Sequence, residues 1–360
     1  MKTTINTKQL QELVTKSMKC AACNPKIPIT GMIAIEVKKG TITLTTTDEC
    51  NYLYVKGDCE ANDFYVVVNA ELFVKLISKL TSDTVTMEIV NDSLEINANG
   101  RYVLELPYDG EGELVKFPNP VAKMPENVAH ADVPLSTLKM VLATAKASVD
   151  CTKDYYGCYA GYYFGDDCVM TTDSYKMCKI DTSVFGVPAL LWSSTMELVG
   201  LLSGDNVDVS IGGNCIYMQT PSGDIYAQLM DCIADFNVDA VKKYTSAEFE
   251  RSCVVSKAEL LQVLDRLSLF VTKLDENGIF LTFGQEELKI TSRQSDGEEA
   301  IAYSEFVDGS EFSCCIDVER FTDQVKSVLA DTVEIFFGSS STIKIEDGNV
   351  TKIVSLFEEE

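Results

Sequence analysis

The chain has one histidine, His130, in 360 residues, and no uninterrupted apolar run of the roughly 18 residues that a membrane span needs. The first shortage leaves any His-dependent triad with a single base to use, and the H-E-x-x-H, G-x-S-x-G and G-x-x-x-x-G-K-[ST] patterns are all missing. The second leaves no candidate for spanning a bilayer. The start from Met1 to Gln11 is polar and lacks the apolar stretch of an export signal, so a cytoplasmic protein with no membrane partner is expected. Prolines number only nine while 46% of the residues are hydrophobic, enough to bury several cores, and the length calls for two or three domains.

Basic residues are scarce too, 30 against 55 acidic, for a formal charge of -25. Such a sum argues against a phosphate-backbone partner, because binding one needs Lys and Arg to displace counterions. The distribution matters more. Residues 1–123 carry 13 basic and 16 acidic groups, residues 124–251 carry 8 and 17, and residues 252–360 carry 9 and 22, so negative charge accumulates toward Glu358, Glu359 and Glu360. The thirteen cysteines are an odd number without a framework, which reads as reduced thiols. Cys20 and Cys23 form a C-x-x-C, but no second pair completes a tetrahedral site, so no metal and no cofactor are expected. Asp166-Asp167 reads as a solvated turn. No catalytic residue is assigned, and the chain is expected not to be an enzyme.

What the chain does have is repetition. Leu10-Gln-Glu-Leu13 recurs as Leu135-Ser-Thr-Leu138, and Thr46-Thr47-Asp48 recurs as Thr171-Thr172-Asp173, both at an offset of 125. A third copy opens at Ser256-Lys-Ala-Glu-Leu260, and its Leu288-Lys-Ile-Thr-Ser292 stands where the first carries Ile42 to Thr46. Later in each copy come alternating runs: Val85 to Ile89 and Ser93 to Ile96, then Val207 to Ile211 and Cys215 to Met218, then Val333 to Phe337 and Thr342 to Ile345. Period-two alternation broken by Asn91-Asp92 or Gly212-Gly213-Asn214 predicts antiparallel hairpins. Helical stripes appear twice per copy: Leu10 to Met18 and Leu72 to Leu80 in the first, Leu138 to Val149 and Thr195 to Leu202 in the second, Leu260 to Val271 and Val318 to Leu329 in the third. The expectation is an α+β chain of three domains, 1–123, 124–251 and 252–360, each of two strand-helix-hairpin halves, with six helices, about two dozen strands, and His130 in a linker.

This triplication, with Pro28-Ile-x-Gly-Met-Ile-x-Ile-Glu-Val37 running into Leu44-Thr-Thr-Thr-Asp48, resembles the bacterial DNA polymerase III beta sliding clamp family over essentially the whole chain. The resemblance implies the DNA clamp fold: a head-to-tail homodimer, helices lining a central hole, antiparallel sheets outside, and a processivity role on double-stranded DNA without sequence preference. Helix spacing places Lys8, Lys16 and Lys19 on one face, Lys75 and Lys79 on another, and Lys139 and Lys146 on a third. These are the expected DNA-facing residues. Lys26 and Lys153 join them because the resemblance puts their segments near DNA. Lysines of this kind are often merely solvated, and the third copy, with Lys257, Arg266, Arg320 and Lys326 set among acids, is expected to contact DNA least.

The resemblance also implies a pocket in which the DNA polymerase and the clamp loader insert short linear peptides. The matching positions are Thr172, Ser174, Tyr175, Lys176, Met177, Ala234, Phe236, Asp317, Arg320, Thr342 and the final strand with Ile353, Val354, Leu356 and Phe357. The sequence departs from the family here. Ser174-Tyr175-Lys176 replaces Gly-His-Arg, Ala234 replaces a proline, and Ser355-Leu-Phe-Glu-Glu-Glu360 replaces Met-Pro-Met-Arg-Leu. An acidic tail beside the site favours a basic partner peptide, or one tuned to a private replication system such as a phage's. The competing function is a clamp-derived scaffold that recruits proteins without encircling DNA.

Overall fold

The structure, a computed structural model, describes residues 2–24, 26–150, 157–272, 277–294, 296–306 and 310–357. Among them are twenty-six strands and seven α-helices: α1 (Thr7–Ser17), α2 (Ala70–Ile77), α3 (Leu135–Ala145), α4 (Ser193–Val199), α5 (Val238–Thr245), α6 (Lys257–Leu267) and α7 (Val318–Lys326). Six fall on the expected stripes. α5 does not, because its apolar content is too short to stand out. It is set by Asn237, whose Oδ1 accepts the Ala240 N–H at 3.0 Å, and by Lys242 and Lys243 in its last turn. α7 stops at Lys326, short of Leu329, where the Ser327 N–H turns back to the Asp323 and Gln324 carbonyls.

His130 is not in a linker. It sits in the strand Ala129–Pro134, paired antiparallel with Asn206–Gly212, its Nδ1 3.1 Å from the Ser210 hydroxyl. The run Ala-His-Ala-Asp-Val alternates without enough apolar residues to announce a strand. The partner's register supplies what the segment's own pattern lacks.

Packing divides the chain into two compact units, Met1–Leu138 with Ser194–Leu229, and Lys139–Ser193 with Met230–Glu360. The first holds a five-stranded and an eight-stranded sheet, the second a nine-stranded and a four-stranded one. Both large sheets are made the same way. In the first unit the last strand of the second repeat, Gly223–Gln228, pairs antiparallel with Asn51–Asp58 of the first repeat, Ile225 opposite Leu53. In the second unit Val350–Ser355, the last strand of the third repeat, pairs with Lys176–Ile180 of the second, Lys352 opposite Cys178. Cutting the chain by packing therefore splits the second repeat, whose two halves lie in different sheets.

The repeated Thr-Thr-Asp is a turn with a reason for each residue. The Glu49 N–H donates to Thr47 Oγ1 (2.9 Å) and the Asn51 N–H to Asp48 Oδ1 (2.6 Å). At the second copy the Ser174 N–H donates to Thr172 Oγ1 (3.0 Å) and the Lys176 N–H to Asp173 Oδ1 (2.6 Å). Glu49 and Ser174 both take positive φ, 82° and 77°, a strained choice for residues with a Cβ that these side-chain bonds sustain. The preceding threonine is tied to a helix end in both copies: Thr46 Oγ1 donates to the Ser17 carbonyl closing α1, and Thr171 Oγ1 to the Ala145 carbonyl closing α3.

Two of the three second-half helices bury a phenylalanine at their centre, Phe73 in α2 and Phe321 in α7, both fully enclosed. Removing such a ring leaves a cavity the surroundings cannot fill. Phe321→Ala is expected to destabilise its unit by about 3–5 kcal/mol, read as a lower denaturant midpoint. An unchanged midpoint would mean the ring does not anchor the helix.

Candidate functional site

Seven of the lysines expected to face DNA lie on or just after helices. On α1, Leu10, Leu13, Val14 and Ser17 face the core, which turns Lys8 out to solvent with Lys16 half-buried beside it. Lys19 is exposed in the 3-10 turn that follows. Lys75 is exposed on α2 and ion-paired with Glu71 one turn earlier, and Lys79 is exposed just past the helix end. Lys26 is exposed in a loop where its N–H donates to Asn24 Oδ1. Those six belong to the first unit. In the second, Lys139 is half-buried on α3 and Lys146 is exposed in the following 3-10 turn. Lys153 lies outside the described residues.

The third-repeat helices carry a different charge. A groove of about 570 Å³ between α6 and α7 is lined by Asp265, Glu319 and Asp323 against Lys326 alone. Arg266 holds Glu299 through two hydrogen bonds, with the Glu299 carboxyl lowered in pKa by that contact, so this guanidinium is already committed.

Within the second unit a second groove, of about 630 Å³, gathers six of the residues assigned to a peptide pocket: Ser174, Met177, Thr342, Ile353, Leu356 and Phe357. Its far wall is stitched by backbone bonds. The Leu356 N–H donates to the Ser341 carbonyl and the Phe357 N–H to the Cys315 carbonyl, each at 2.9 Å, which holds both apolar side chains at the groove. Sequence reasoning did not include Tyr244, the strand residues Phe312 to Cys315, Ser339 to Ser341, or Ser355. The serine run after Gly338 was the available signal. No side chain lining this groove is charged.

The remaining assigned residues stand behind or beside it. Thr172 and Val354 are buried. Tyr175 is half-exposed, with the Arg320 guanidinium stacked 3.8 Å from its ring centroid. Asp317 caps α7, its Oδ1 accepting the Arg320 N–H at 2.9 Å. Lys176 is buried and paired with Asp323 (3.2 Å) and Asp173 (3.5 Å), and burial pushes the Asp173 carboxyl up in pKa against the hydrogen bonds that lower it. Ala234 lies in a 3-10 turn, and Phe236 stacks on Tyr163 at 5.0 Å in a separate apolar cluster, so neither lines the groove. Behind the floor, Lys352 is fully buried and donates to the Thr144 carbonyl and the Ser327 hydroxyl.

Among the described residues no group of three or more His, Cys, Asp or Glu is gathered to hold a metal ion, and no helix is long and apolar enough to cross a membrane. A triplicated strand-helix-hairpin unit, shared sheets across repeat joints and an uncharged apolar-floored groove define a protein of the DNA-clamp fold. Solved structures agree over the full length of both chains: DNA polymerase III subunit beta from Borrelia burgdorferi in complex with a natural product (18% identity, TM-score 0.84), the DNA polymerase sliding clamp from Bacillus subtilis (18%, 0.83), and the beta subunit from DNA polymerase of Streptococcus pyogenes (15%, 0.85). No curated protein matches by sequence. Residues 1–111 match the DNA polymerase III beta subunit N-terminal domain and residues 245–357 its C-terminal domain. The chain belongs to the DNA polymerase III beta subunit family, the DNA sliding clamps.

Burial holds the Lys352 ammonium below its ordinary pKa of 10.5. The unfolded chain then binds that proton more readily, so the stability this site contributes rises with pH between the folded pKa and 10.5. As pH rises toward 10.5 the wild type should gain stability relative to Lys352→Met, by no more than about 1.4 kcal/mol per pH unit. Parallel pH profiles for the two proteins would contradict a depressed lysine.

Proposed function

We propose that this chain works as a sliding clamp by closing head-to-tail with a second copy into a ring around duplex DNA, tethering a polymerase and accepting its loader through short peptides. The observation that carries the reading is the pair of sheets left unjoined. Each large sheet forms when the last hairpin of one repeat meets the first-half strands of the repeat before it. The first repeat's last strand, Arg101–Glu105, and the third repeat's Glu298–Ala302 are the corresponding strands, and each ends its sheet. Two such edges of complementary type call for one another on a second copy, and a closed array removes both.

Apolar side chains support the same joint. Inside the second unit Gln324 of α7 donates to Ser148, at the end of the α3 segment, at 2.6 Å. The corresponding positions at the open ends are Leu76, with Leu72 one turn before it, on α2, and Leu269-Phe270 after α6. Leu72, Leu269 and Phe270 are 55%, 82% and 47% exposed. Leaving such residues in water is unfavourable, and burying them against each other is the available remedy. We read three repeat domains, 1–123, 124–251 and 252–360, in each copy.

Lys8, Lys16, Lys19, Lys26, Lys75, Lys79, Lys139, Lys146 and Lys153 make up the DNA-facing set in this reading, and the acidic α6–α7 groove keeps the third domain out of it. Contacts to phosphate alone permit sliding, since base readout would pin the ring. The uncharged groove takes the partner's peptide: an apolar floor of Met177, Ile353, Leu356 and Phe357 holds its anchor, and hydroxyls rim it. No catalytic role is assigned.

The loaded protein should stay on nicked circular DNA through gel filtration and leave the same DNA once it is made linear. Equal loss from both would replace the clamp with a recruiting scaffold. Two variants separate the surfaces. Reversing Lys8, Lys16 and Lys75 to Glu should shorten residence on circles without changing the protein's mass. Met177→Lys should leave residence intact and abolish polymerase tethering, and a Met177→Lys protein that still tethers would move the peptide site elsewhere.

A further inference from the structure

From the two joints within the chain, we infer the residue register of the joint between copies: Arg101 lies directly opposite Glu298 of the second copy, and Tyr102 opposite its Gly297. The inference rests on the head-to-tail dimer proposed above and adds the alignment. In the first unit a continuous row runs across the joint, Val209 to Met218 to Ile225 to Leu53, with Thr46 next. In the second unit the matching row is Ile335, Ile345, Lys352, Cys178 and Thr171. The repeat offsets make these the same five positions. Both rows are made of buried side chains, as one face of a sheet requires.

The open edges carry the two halves of a third such row. On one side Met87 pairs with Ile96 and Ile96 with Tyr102, both strands in the positions of the rows above. On the other, Ser292 occupies the place of Thr46 and Thr171, and its N–H donates to the Gly297 carbonyl. Completing the row sets Tyr102 against Gly297. Register in a two-faced sheet cannot slip by one residue without turning the buried face outward, so the neighbours follow: Arg101 against Glu298 on the outer face.

Local chemistry agrees. Tyr102 is only half-buried where its counterparts Ile225 and Lys352 are enclosed, so its ring still lacks cover. A Cβ at Gly297 would come within 2.9 Å of Leu267 and 3.1 Å of Phe270, so on the buried face an incoming Tyr102 ring meets those two apolar side chains and no side chain of position 297 itself. On the outer face the guanidinium of Arg101 is 65% exposed and the Glu298 carboxylate 55%, held by Glu95 and Lys289 of their own sheets. Opposite charges directly across an antiparallel pair favour the alignment, and like charges there oppose it.

The test is a charge exchange in the full-length protein, read as the dimer dissociation constant by sedimentation velocity. Arg101→Glu and Glu298→Arg each set like charges together at both joints of the dimer, and each should weaken it by about tenfold. The double variant R101E/E298R restores opposite charges and should return to within about threefold of wild type. Circular dichroism would confirm that all three fold alike. A double variant as weak as the two single effects combined, with wild type dimeric, would overturn the register while leaving the dimer standing. A wild type that stays monomeric at every concentration would overturn the head-to-tail assembly itself.

Discussion

Backbone hydrogen bonding at sheet edges governs this molecule. A repeat of two strand-helix-hairpin halves ends in strands whose outward N–H and C=O groups need partners, and each such group left buried without one costs about 1–3 kcal/mol. Gly223–Gln228 finds its partner in Asn51–Asp58, and Val350–Ser355 finds its own in Lys176–Ile180. The pairing explains why packing divides the chain across a repeat and not between repeats. It also explains why side chains at the joints diverge so widely. Once the ladder sets the alignment, the position opposite the first-half strand tolerates Ile225 in one joint and a buried lysine in the other.

Lys352 shows the limit of that tolerance. A buried ammonium is costly unless its donors are met, and here the Thr144 carbonyl at the end of α3 and the Ser327 hydroxyl after α7 meet two of them. The cation thus links the ends of two helices through the strand between them. In the first unit the polar tie is made by another residue: Asn51 Oδ1 accepts the Thr195 hydroxyl of α4 at 2.6 Å, and Asn51 Nδ2 reaches Ser194. Lys176, which stands at the position of Asn51 in the second repeat, reaches Asp323 of α7 instead. Polar side chains in corresponding places carry the helix-to-sheet link with unrelated chemistry.

Much of the fold was legible because repetition supplies its own control. An offset of 125 seen at both Leu10 and Thr46 aligns segments whose individual patterns are ambiguous, and alternation then places the hairpins. The legible helices were those with several turns of apolar stripe. α5 and the His130 strand escaped because one is too short to show a period and the other borrows its register from a neighbour. The site was legible in part. Ser174, Met177, Thr342 and the final strand gather at the groove, whereas Phe312 to Cys315 reach it only through the Phe357-to-Cys315 backbone bond, a tertiary pairing that no local pattern announces. Phe236 was assigned by resemblance and is claimed by ring stacking with Tyr163 instead.

Charge placement follows from the same division of labour. A helix packed on a sheet has one buried stripe, so its remaining face is free to vary without cost to the fold. On α1 that face holds Lys8, Glu12 and Lys16, while on α6 and α7 the acids Glu259, Asp265, Glu319 and Asp323 outnumber the exposed Arg266 and Lys326. A chain with net charge of -25 can therefore keep a few helix faces near neutral or positive while its surface as a whole repels polyanions. Such an arrangement weakens the grip on any one stretch of DNA, because phosphate affinity grows with the number of cations engaged. In the proposed ring, retention on DNA comes from closure at the strand edges Arg101–Glu105 and Glu298–Ala302.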